Sequence, residues 1–289
     1  MRLRTALSAR QTSLWLAVAS QLAFCDSALA QFTHPPLSPA LQTVTGLRPP
    51  KPLDNRQPPP LPANAPMPSA DPHDFSGTWM HIDDLIFRNV RDMYALYPPF
   101  NDAGAKVLAR RVKSKSPYIN ASAICRPPGQ FWQLDLNFPF HIFQSKLGME
   151  WVFEEFHGTW NVVLDPRAVP VPKEKAYMGR SEGHWEGDTL VVETKDFAHD
   201  FWLDADGTPF SASGKLTYRI RKVNTGDRNP YLQVLITIDD PTYYTRPWTV
   251  ARRYHWRPNR AVMKEYNCEE QIGDPSVDAD AGLIPEPKD

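Results

Sequence analysis

From Phe131 onward, apolar and polar residues alternate with the period of two that is typical of half-buried β-strands. Residues 149–156 are a clear example, because Met149, Trp151 and Phe153 would share one face of a strand. The predicted strands span residues 138–145, 149–156, 159–164, 184–192, 216–223, 231–238, 248–256 and 262–268. Their short connections favour antiparallel pairing, since parallel strands need long crossovers. A meander of about nine or ten strands tends to close into a barrel, which removes its exposed edges.

One helix and one entry strand are predicted before this run of strands. Residues 101–113 have a helical pattern, with Asn101 or Asp102 as the N-cap and basic residues at the C-terminal end, where the helix dipole favours them. The helix is short, so we expect it to pack against the outside of a sheet. Residues 75–79 indicate a turn that enters a strand. The barrel domain is therefore predicted to span residues 73–272, with a C-terminal tail at 273–289.

A proline-rich segment, residues 31–72, precedes the predicted domain and contains few large apolar residues. Such a composition favours extended polyproline geometry and cannot bury a core. We interpret the segment as a tether or as a peptide that lies over the surface of the domain. A ligand for a binding partner is the alternative.

The first thirty residues have the organisation of a secretory signal peptide. Three arginines fall within the first ten residues, an apolar stretch follows at 13–24, and Ala-Leu-Ala at 28–30 is a cleavage site. The apolar stretch is shorter than the roughly 20 residues that a spanning helix needs. We predict a soluble periplasmic or secreted protein with no integral membrane segment after cleavage. Lipid attachment at Cys25 is the alternative, but it would need a small residue where Phe24 stands.

Charge and cysteine content narrow the function classes. The formal net charge is −1, which gives no indication of a nucleic-acid partner. Once the signal peptide is removed, Cys125 and Cys268 remain. In an oxidising compartment they would form one disulfide, and two buried free thiols are the alternative. Closing so long a loop would stabilise the fold by about 4 kcal/mol.

Motifs of known cofactor and metal enzymes are missing from the sequence. There is no H-E-x-x-H, P-loop or dinucleotide-binding glycine pattern. The histidines after the signal peptide never stand at i,i+2 or i,i+4, and the cysteines lack C-x-x-C spacing. We therefore expect neither a metal nor an organic cofactor.

Two local motifs resemble the lipocalins and their relatives. Residues 75–79, Phe-Ser-Gly-Thr-Trp, are similar to the G-x-W opening strand of those barrels, and residues 185–190, Trp-Glu-Gly-Asp-Thr-Leu, are similar to one of their hairpins. The resemblance implies a lipocalin-like antiparallel β-barrel in which Trp79 closes the bottom, with Arg252 or Arg253 as its partner. We interpret the hairpin itself as architecture, since Gly187 suits the turn.

A second resemblance covers residues 74–272. Here the chain is similar to a large family of secreted bacterial proteins, common in soil and aromatic-degrading bacteria, most of which have no assigned function. The shared pieces are residues 125–129, 177–179, 185–192, 240–248 and 265–270. Cys125 and Cys268 both fall within these pieces, so the resemblance implies that they pair. Arg180 and His184 stand in exchanged positions relative to the family pattern, so no role at these positions is carried over.

Three side chains beside aromatic residues are candidate catalytic groups. His141 lies in an aromatic-rich strand, where an imidazole can act as a general base near neutral pH. A histidine bonded to a backbone carbonyl is the alternative. Glu155 and His157 would share a strand face and form a proton-transfer pair, unless they belong to a solvated strand end.

Further polar residues flank the predicted strands. Arg180 with His184 could clamp a phenolate or a carboxylate, or could cap the hairpin. Tyr243, Tyr244 and Arg246 could form the polar rim of a cavity or could fix their loop. The candidate catalytic residues are His141, Glu155, His157 and His184, and the candidate substrate-binding residues are Trp151, Tyr177, Arg180, Tyr244 and Arg246.

These observations predict a cofactor-free lyase or isomerase acting on a hydrophobic aromatic small molecule. A barrel of this size can hold an apolar cavity with a few polar groups, which is the usual form of a small-molecule site. The family resemblance implies lignin-derived aromatics as the substrate class. A periplasmic carrier that binds such molecules unchanged is the alternative, and an envelope interaction module that uses the proline-rich segment is a third hypothesis.

Overall fold

The computed structural model describes residues 58–81, 98–114, 128–136, 138–170, 173–204 and 207–266. The predicted signal peptide and C-terminal tail lie outside the described residues. So do Cys125 and Cys268, and their disulfide stays a prediction. No helix in the described part of the chain is long and apolar enough to cross a membrane.

The elements follow the chain in the order strand, helices, strands. The strands are β1 (Gly77–His81), β2 (Pro139–Gln144), β3 (Gly148–Phe153), β4 (Thr159–Val163), β5 (Arg180–Glu186), β6 (Thr189–Lys195), β7 (Phe201–Trp202), β8 (Pro209–Phe210), β9 (Lys215–Val223), β10 (Tyr231–Asp239) and β11 (Trp248–Trp256). The helices are α1 (Asp102–Ser114) and α2 (Gln130–Gln133), and single 3₁₀ turns lie at Glu155–His157 and Pro258–Arg260.

Nine strands close into a barrel in the order β1-β11-β10-β9-β6-β5-β4-β3-β2, and β7 pairs separately with β8. The prediction of a mostly β protein built on a closed barrel is therefore confirmed. One pairing differs from the antiparallel prediction: β4 and β5 run parallel, with Val162 opposite Ser181. Residues 164–179 separate the two strands, and a parallel pair needs a long crossover connection of this kind.

The predicted last strand, residues 262–268, is absent over 262–266, the part that the structure describes. Strand β11 already pairs with β10 on one side and with β1 on the other, so both of its edges are occupied. Val262 is 87% exposed, and the Lys264 backbone N–H donates to the carboxylate of Glu154 instead of to a strand.

Alternation along the strands builds the core inside the barrel. On β10, Leu232, Val234, Ile236 and Ile238 are buried, and the residues between them are half-exposed. Three tryptophans, Trp79, Trp151 and Trp160, are fully buried with them. Each large apolar side chain buried in this way contributes about 1.5–3 kcal/mol relative to an exposed one.

Helix α1 matches the prediction to within a residue at each end. The Asn101 side chain accepts a hydrogen bond from the Gly104 N–H at 2.9 Å, so Asn101 is the N-cap. Ala105 and Leu108 are buried. The Arg111 guanidinium lies over the Trp202 ring at 4.9 Å, so the helix packs against the β7–β8 pair.

The described part of the proline-rich segment, residues 58–72, lies along the barrel as a strap. The Trp256 indole donates to the Pro66 carbonyl at 2.8 Å, and Arg228 donates to the Pro62 carbonyl at 2.6 Å. Lys222 donates to the Asp71 carbonyl at 2.5 Å. Residues 58–72 therefore form a peptide that lies over the surface of the domain and not a free tether. Residues 31–57 lie outside the described part of the chain.

The Trp79 ring packs against Trp256, the residue whose indole binds the strap. Its indole donates to the Phe75 carbonyl at 2.8 Å, and its ring lies 5.1 Å from that of Trp256. The lipocalin resemblance implies an arginine over Trp79. Arg252, one of the two arginines implied as its partner, stacks its guanidinium on Phe131 of helix α2 at 3.9 Å from the ring centroid.

Candidate functional site

Helix α2 and the residues after it are buried against the inner face of the barrel. Gln130, Phe131 and Leu134 are at most 1% exposed, and Gln133 is 3% exposed. The carbonyls of Gly129, Gln130, Trp132 and Gln133 accept local backbone N–H groups, whereas the Phe131 carbonyl accepts a hydrogen bond from the barrel strand β11. This segment therefore brings polar side chains and carbonyls to the barrel interior.

Arg252 on β11 is the charged centre of the interior. Its side chain is 0% exposed and forms an ion pair with Asp135 at 2.5 Å. It also donates to the Phe131 carbonyl at 2.9 Å. The Asp135 carboxylate balances the buried guanidinium, which burial alone would strongly disfavour. The pair holds the segment that contains α2 against β11 and is formally neutral.

Two phenols face the same interior. Tyr218 on β9 and Tyr254 on β11 are fully buried, and their hydroxyls have no hydrogen-bond partner among the described residues. Burial raises the pKa of Tyr218 well above its usual value and also raises the pKa of Tyr254. Both groups are therefore neutral hydroxyls that can donate a hydrogen bond.

An amide and an indole add three further atoms of this kind. The Gln130 side-chain nitrogen and oxygen and the Trp151 indole nitrogen are buried and have no partner in the described part of the chain. The Gln130 amide lies close to the Tyr218 hydroxyl and the Arg252 guanidinium lies close to that of Tyr254, and each opposes the rise in the pKa of its phenol, but neither contact has the geometry of a full hydrogen bond. Native proteins pair nearly all buried polar groups, so several unpaired polar atoms in one barrel interior need an explanation.

A continuous path of rings joins the two phenols. The centroid separations are 5.2 Å from Tyr254 to Phe140, 5.1 Å from Phe140 to Trp151, 5.0 Å from Trp151 to Trp160, and 4.7 Å from Trp160 to Tyr218. The two phenols and the Trp151 indole are thus linked through packed aromatic rings. We call these buried polar residues the interior polar cluster, and its members are Gln130, Asp135, Trp151, Tyr218, Arg252 and Tyr254.

His81 on β1 borders the cluster, with its ring centroid 5.7 Å from that of Tyr254. Burial, together with the nearby guanidinium groups of Arg252 and Arg253, lowers the pKa of His81 to about 4. The imidazole is therefore neutral at pH 7 and adds no charge to the interior. Among the described residues, the charged groups buried together here are Arg252 and Asp135, which form an ion pair.

One of the sequence-predicted residues, Trp151, lies in the interior polar cluster. Glu155 and His157 lie in the 3₁₀ turn between β3 and β4, where the Glu155 carbonyl accepts a hydrogen bond from Gln133 of helix α2. The strand predicted to run through residue 156 ends at Phe153, because Phe156 and His157 adopt positive φ angles of 59° and 45°. The two side chains therefore do not share a strand face.

Glu155 has an unusual environment in this turn. Burial raises the pKa of its carboxyl to about 7, and its Oε2 atom has no partner among the described residues. Its backbone carbonyl accepts a hydrogen bond from the Gln133 side chain of α2 at 3.1 Å. His157 is more exposed, and its Nε2 accepts a hydrogen bond from the Tyr266 N–H at 3.2 Å.

The other predicted residues are spread over the outside of the barrel. His141 is on the outer face of β2, where its Nδ1 and the Thr78 hydroxyl are hydrogen-bonded at 2.8 Å, and burial lowers its pKa. His184 lies on the exposed face of the β5–β6 hairpin, 3.3 Å from the Glu186 carboxylate. The structure does not bring these two histidines together.

The predicted substrate-binding residues other than Trp151 also lie apart from the interior polar cluster. Arg180 forms an ion pair with Asp196. Tyr177 packs its ring 5.4 Å from that of His199. The buried Tyr244 hydroxyl donates to the Pro209 carbonyl at 2.6 Å, and Arg246 is exposed.

Sequence reasoning missed most of the interior polar cluster, although one signal was available. Strand β11 alternates Trp248, Val250, Arg252 and Tyr254 on its buried face, so Arg252 stands in register with core residues. An arginine at an inward position of a barrel strand needs a buried partner. Asp135 could not be identified as that partner from the pattern, because it follows α2 far away in the chain.

Among the described residues, no group of three or more His, Cys, Asp or Glu side chains could hold a metal ion. Comparison with known proteins gives no further assignment. No protein-family model matches the chain, and no curated protein matches it significantly.

Proposed function

We propose that the barrel binds a hydrophobic small molecule, with an aromatic body and an oxygen acceptor, beside the interior polar cluster. The observation that carries this proposal is the set of five buried polar atoms without partners, on Gln130, Trp151, Tyr218 and Tyr254. Leaving each such atom unpaired costs about 1–3 kcal/mol. A ligand that pairs several of them at once would gain that free energy on binding.

The chemistry of these atoms favours one class of polar group on the ligand. The two phenols, the indole and the amide nitrogen all donate hydrogen bonds. A carbonyl, ether or phenol oxygen accepts such bonds. Because Asp135 already balances Arg252 at 2.5 Å, the site favours a neutral ligand over an anion.

The wall of the site supports an aromatic body. The rings of Phe140, Trp151 and Trp160 are all buried. The ring centroids of Phe140 and Trp151 are 5.1 Å apart, and those of Trp151 and Trp160 are 5.0 Å apart. Aromatic side chains pack well against aromatic ligands in offset or edge-to-face arrangements. The resemblance to secreted proteins of aromatic-degrading bacteria supports lignin-derived aromatics, and the signal-peptide pattern supports a periplasmic or secreted location.

Glu155 favours a second candidate function, a cofactor-free lyase or isomerase. A carboxyl group with a pKa of about 7 is well matched to general-base work at neutral pH. In this candidate, the Glu155 carboxylate takes a proton from the ligand, and the electron pair moves onto the ligand's oxygen. Tyr218 and Tyr254 would steady that developing negative charge by donating hydrogen bonds.

Calorimetric titration with lignin-type aryl ether dimers and aromatic ketones tests the binding. We expect binding to the wild type, and binding at least about tenfold weaker for Tyr218→Phe and Tyr254→Phe, which each lose one donor. Tyr231→Phe on β10 is the matched control, since that ring is half-exposed on the outer face. Absence of binding by every compound, or equal weakening in the control, would refute the proposal.

Mass spectrometry of the same mixtures separates the two candidate functions. Product formation that disappears in Glu155→Gln, while binding persists, would assign catalysis. Binding without product from any compound would assign a carrier.

A further inference from the structure

A cavity lies outside the barrel, where the strap meets the end of β11. Its volume is about 390 Å³, within the range of roughly 300–1,000 Å³ that is usual for small-molecule sites. Its lining is formed by residues 59–62, 65 and 66 of the strap and by residues 257–259, which follow β11. The lining is mostly proline and aliphatic carbon, with a single charged side chain.

Hydrogen bonds to the barrel hold the strap side of this cavity. The Leu61 N–H donates to the Arg228 carbonyl at 2.9 Å, and the Arg228 guanidinium donates to the carbonyls of Leu61 and Pro62 at 3.2 and 2.6 Å. The Trp256 indole fixes Pro66. Proline also restricts the backbone, so the wall loses little conformational entropy when a ligand binds.

Arg257 is the charged group of the lining. Its guanidinium is half-buried and donates to the Trp256 carbonyl at 3.0 Å, and it has no carboxylate partner in the part of the chain that the structure describes. Burial lowers its pKa, and no acidic group offsets that effect. A partly desolvated cation beside an apolar cavity has an unused capacity to pair with an anion.

We propose that this cavity binds a small apolar carboxylic acid in its anionic form, with Arg257 pairing the carboxylate and the prolines packing against the apolar body. An arylalkanoate such as 3-phenylpropanoate fits the volume and the charge. This cavity would prefer an anion, whereas the interior polar cluster would prefer a neutral ligand because Asp135 pairs with the buried Arg252 guanidinium there. The strap would then serve as one wall of a binding site as well as a cover for the barrel.

Isothermal titration calorimetry of the full secreted chain with 3-phenylpropanoate and its neutral analogue 3-phenylpropanamide tests this proposal. We expect the cavity to bind the carboxylate and to bind the amide at least about tenfold more weakly, because the amide lacks the charge-assisted hydrogen bond. The neutral amide also fits the ligand class proposed for the barrel interior, so acid and amide are compared in the Tyr218→Phe background. Arg257→Gln should weaken carboxylate binding by the same factor. Arg253→Gln is the matched control, since it removes the same charge from β11 outside the cavity lining.

Two further variants distinguish binding in this cavity from binding in the barrel interior. Ala65→Phe keeps every charge but fills the cavity, so it should abolish binding even if Arg257→Gln proves hard to produce. Tyr218→Phe alters the interior polar cluster and should bind 3-phenylpropanoate like the wild type. Equal binding of acid and amide in the Tyr218→Phe background, equal loss of carboxylate binding in Arg253→Gln, full carboxylate binding to Ala65→Phe, or loss of carboxylate binding in Tyr218→Phe would each overturn the proposal.

Discussion

Removing one hydroxyl from the barrel interior should stabilise the ligand-free protein. The Tyr218 hydroxyl is buried and has no partner among the described residues, and an unpaired buried hydroxyl costs about 1–3 kcal/mol. Tyr218→Phe keeps the ring, whose centroid lies 4.7 Å from that of Trp160. We therefore expect the free energy of unfolding to rise by about 1–2 kcal/mol.

Tyr244→Phe is a matched control for this substitution. It removes the same atom from an equally buried ring, but the Tyr244 hydroxyl donates to the Pro209 carbonyl at 2.6 Å. Its loss leaves a buried acceptor unpaired, so this variant should lose about 1–2 kcal/mol. The same chemical change is thus expected to have opposite signs at the two positions.

Urea unfolding followed by tryptophan fluorescence measures both variants, and calorimetry gives the change in Tm. For a domain of this size, a gain of about 1–2 kcal/mol raises Tm by about 2–8 °C. If Tyr218→Phe loses as much stability as Tyr244→Phe, the Tyr218 hydroxyl is paired in the ligand-free protein. The interior polar cluster would then lack an unpaired donor on which the proposed ligand binding depends.

Three further predictions concern other parts of the molecule. Arg252→Met should lower the free energy of unfolding by about 3–5 kcal/mol in urea titrations, because it removes the guanidinium that pairs with the buried Asp135 carboxylate. The wild type should become less stable as the pH rises from about 4.5 to about 7, because burial in the fold raises the pKa of Glu155. The loss in the free energy of unfolding should be on the order of 2 kcal/mol, and urea titrations of Glu155→Gln should lack it. Trp256→Phe should speed limited proteolysis within the strap, because the hydrogen bond to Pro66 is lost.

Each of these predictions has a control and a contrary outcome. Arg252→Met combined with Asp135→Leu should recover most of the lost stability, and no recovery would contradict the stabilising role of the ion pair. Glu150→Gln, at an exposed position of β3, should keep the pH dependence of the wild type. Trp202→Phe, far from the strap in the chain, should leave the proteolysis rate unchanged, and equal cleavage in both tryptophan variants would count against the strap contact.

The sign of the Glu155 effect follows from its environment. Burial raises the folded-state pKa from 4.5 to about 7. The neutral form is therefore favoured by the fold, and the stability associated with it is fully present below about pH 4.5. Ionisation removes it as the pH rises through the folded-state pKa, after which the curve should flatten.

Local patterns were sufficient for most of the secondary structure. The period-two alternation identified β9, β10 and β11 nearly to the residue, because one face of each is buried and the other is exposed. The helix at Asp102–Ser114 was identified by its cap. These features depend on neighbouring residues, so the sequence alone determines them.

The errors occur where distant strands decide the outcome. The alternation near Val262 resembles a strand, but β1 already occupies the free edge of β11. The predicted strand over residues 149–156 stops at Phe153, where the Glu154 carboxylate pairs with Arg260 from beyond β11. Neither edge occupancy nor this ion pair is visible in a local window of sequence.

Tertiary structure alone decided the candidate site. The interior polar cluster gathers Trp151 from β3, Tyr218 from β9, Arg252 from β11 and Gln130 from α2, which are separated by tens of residues. The inward register of Arg252 and the aromatic strand around Trp151 are visible in their own segments, but nothing local shows which residues they meet. The sequence by itself determined that the chain forms strands with one apolar face, and closure of the barrel decided which polar groups share the interior, because only closure brings the two ends of the sheet together.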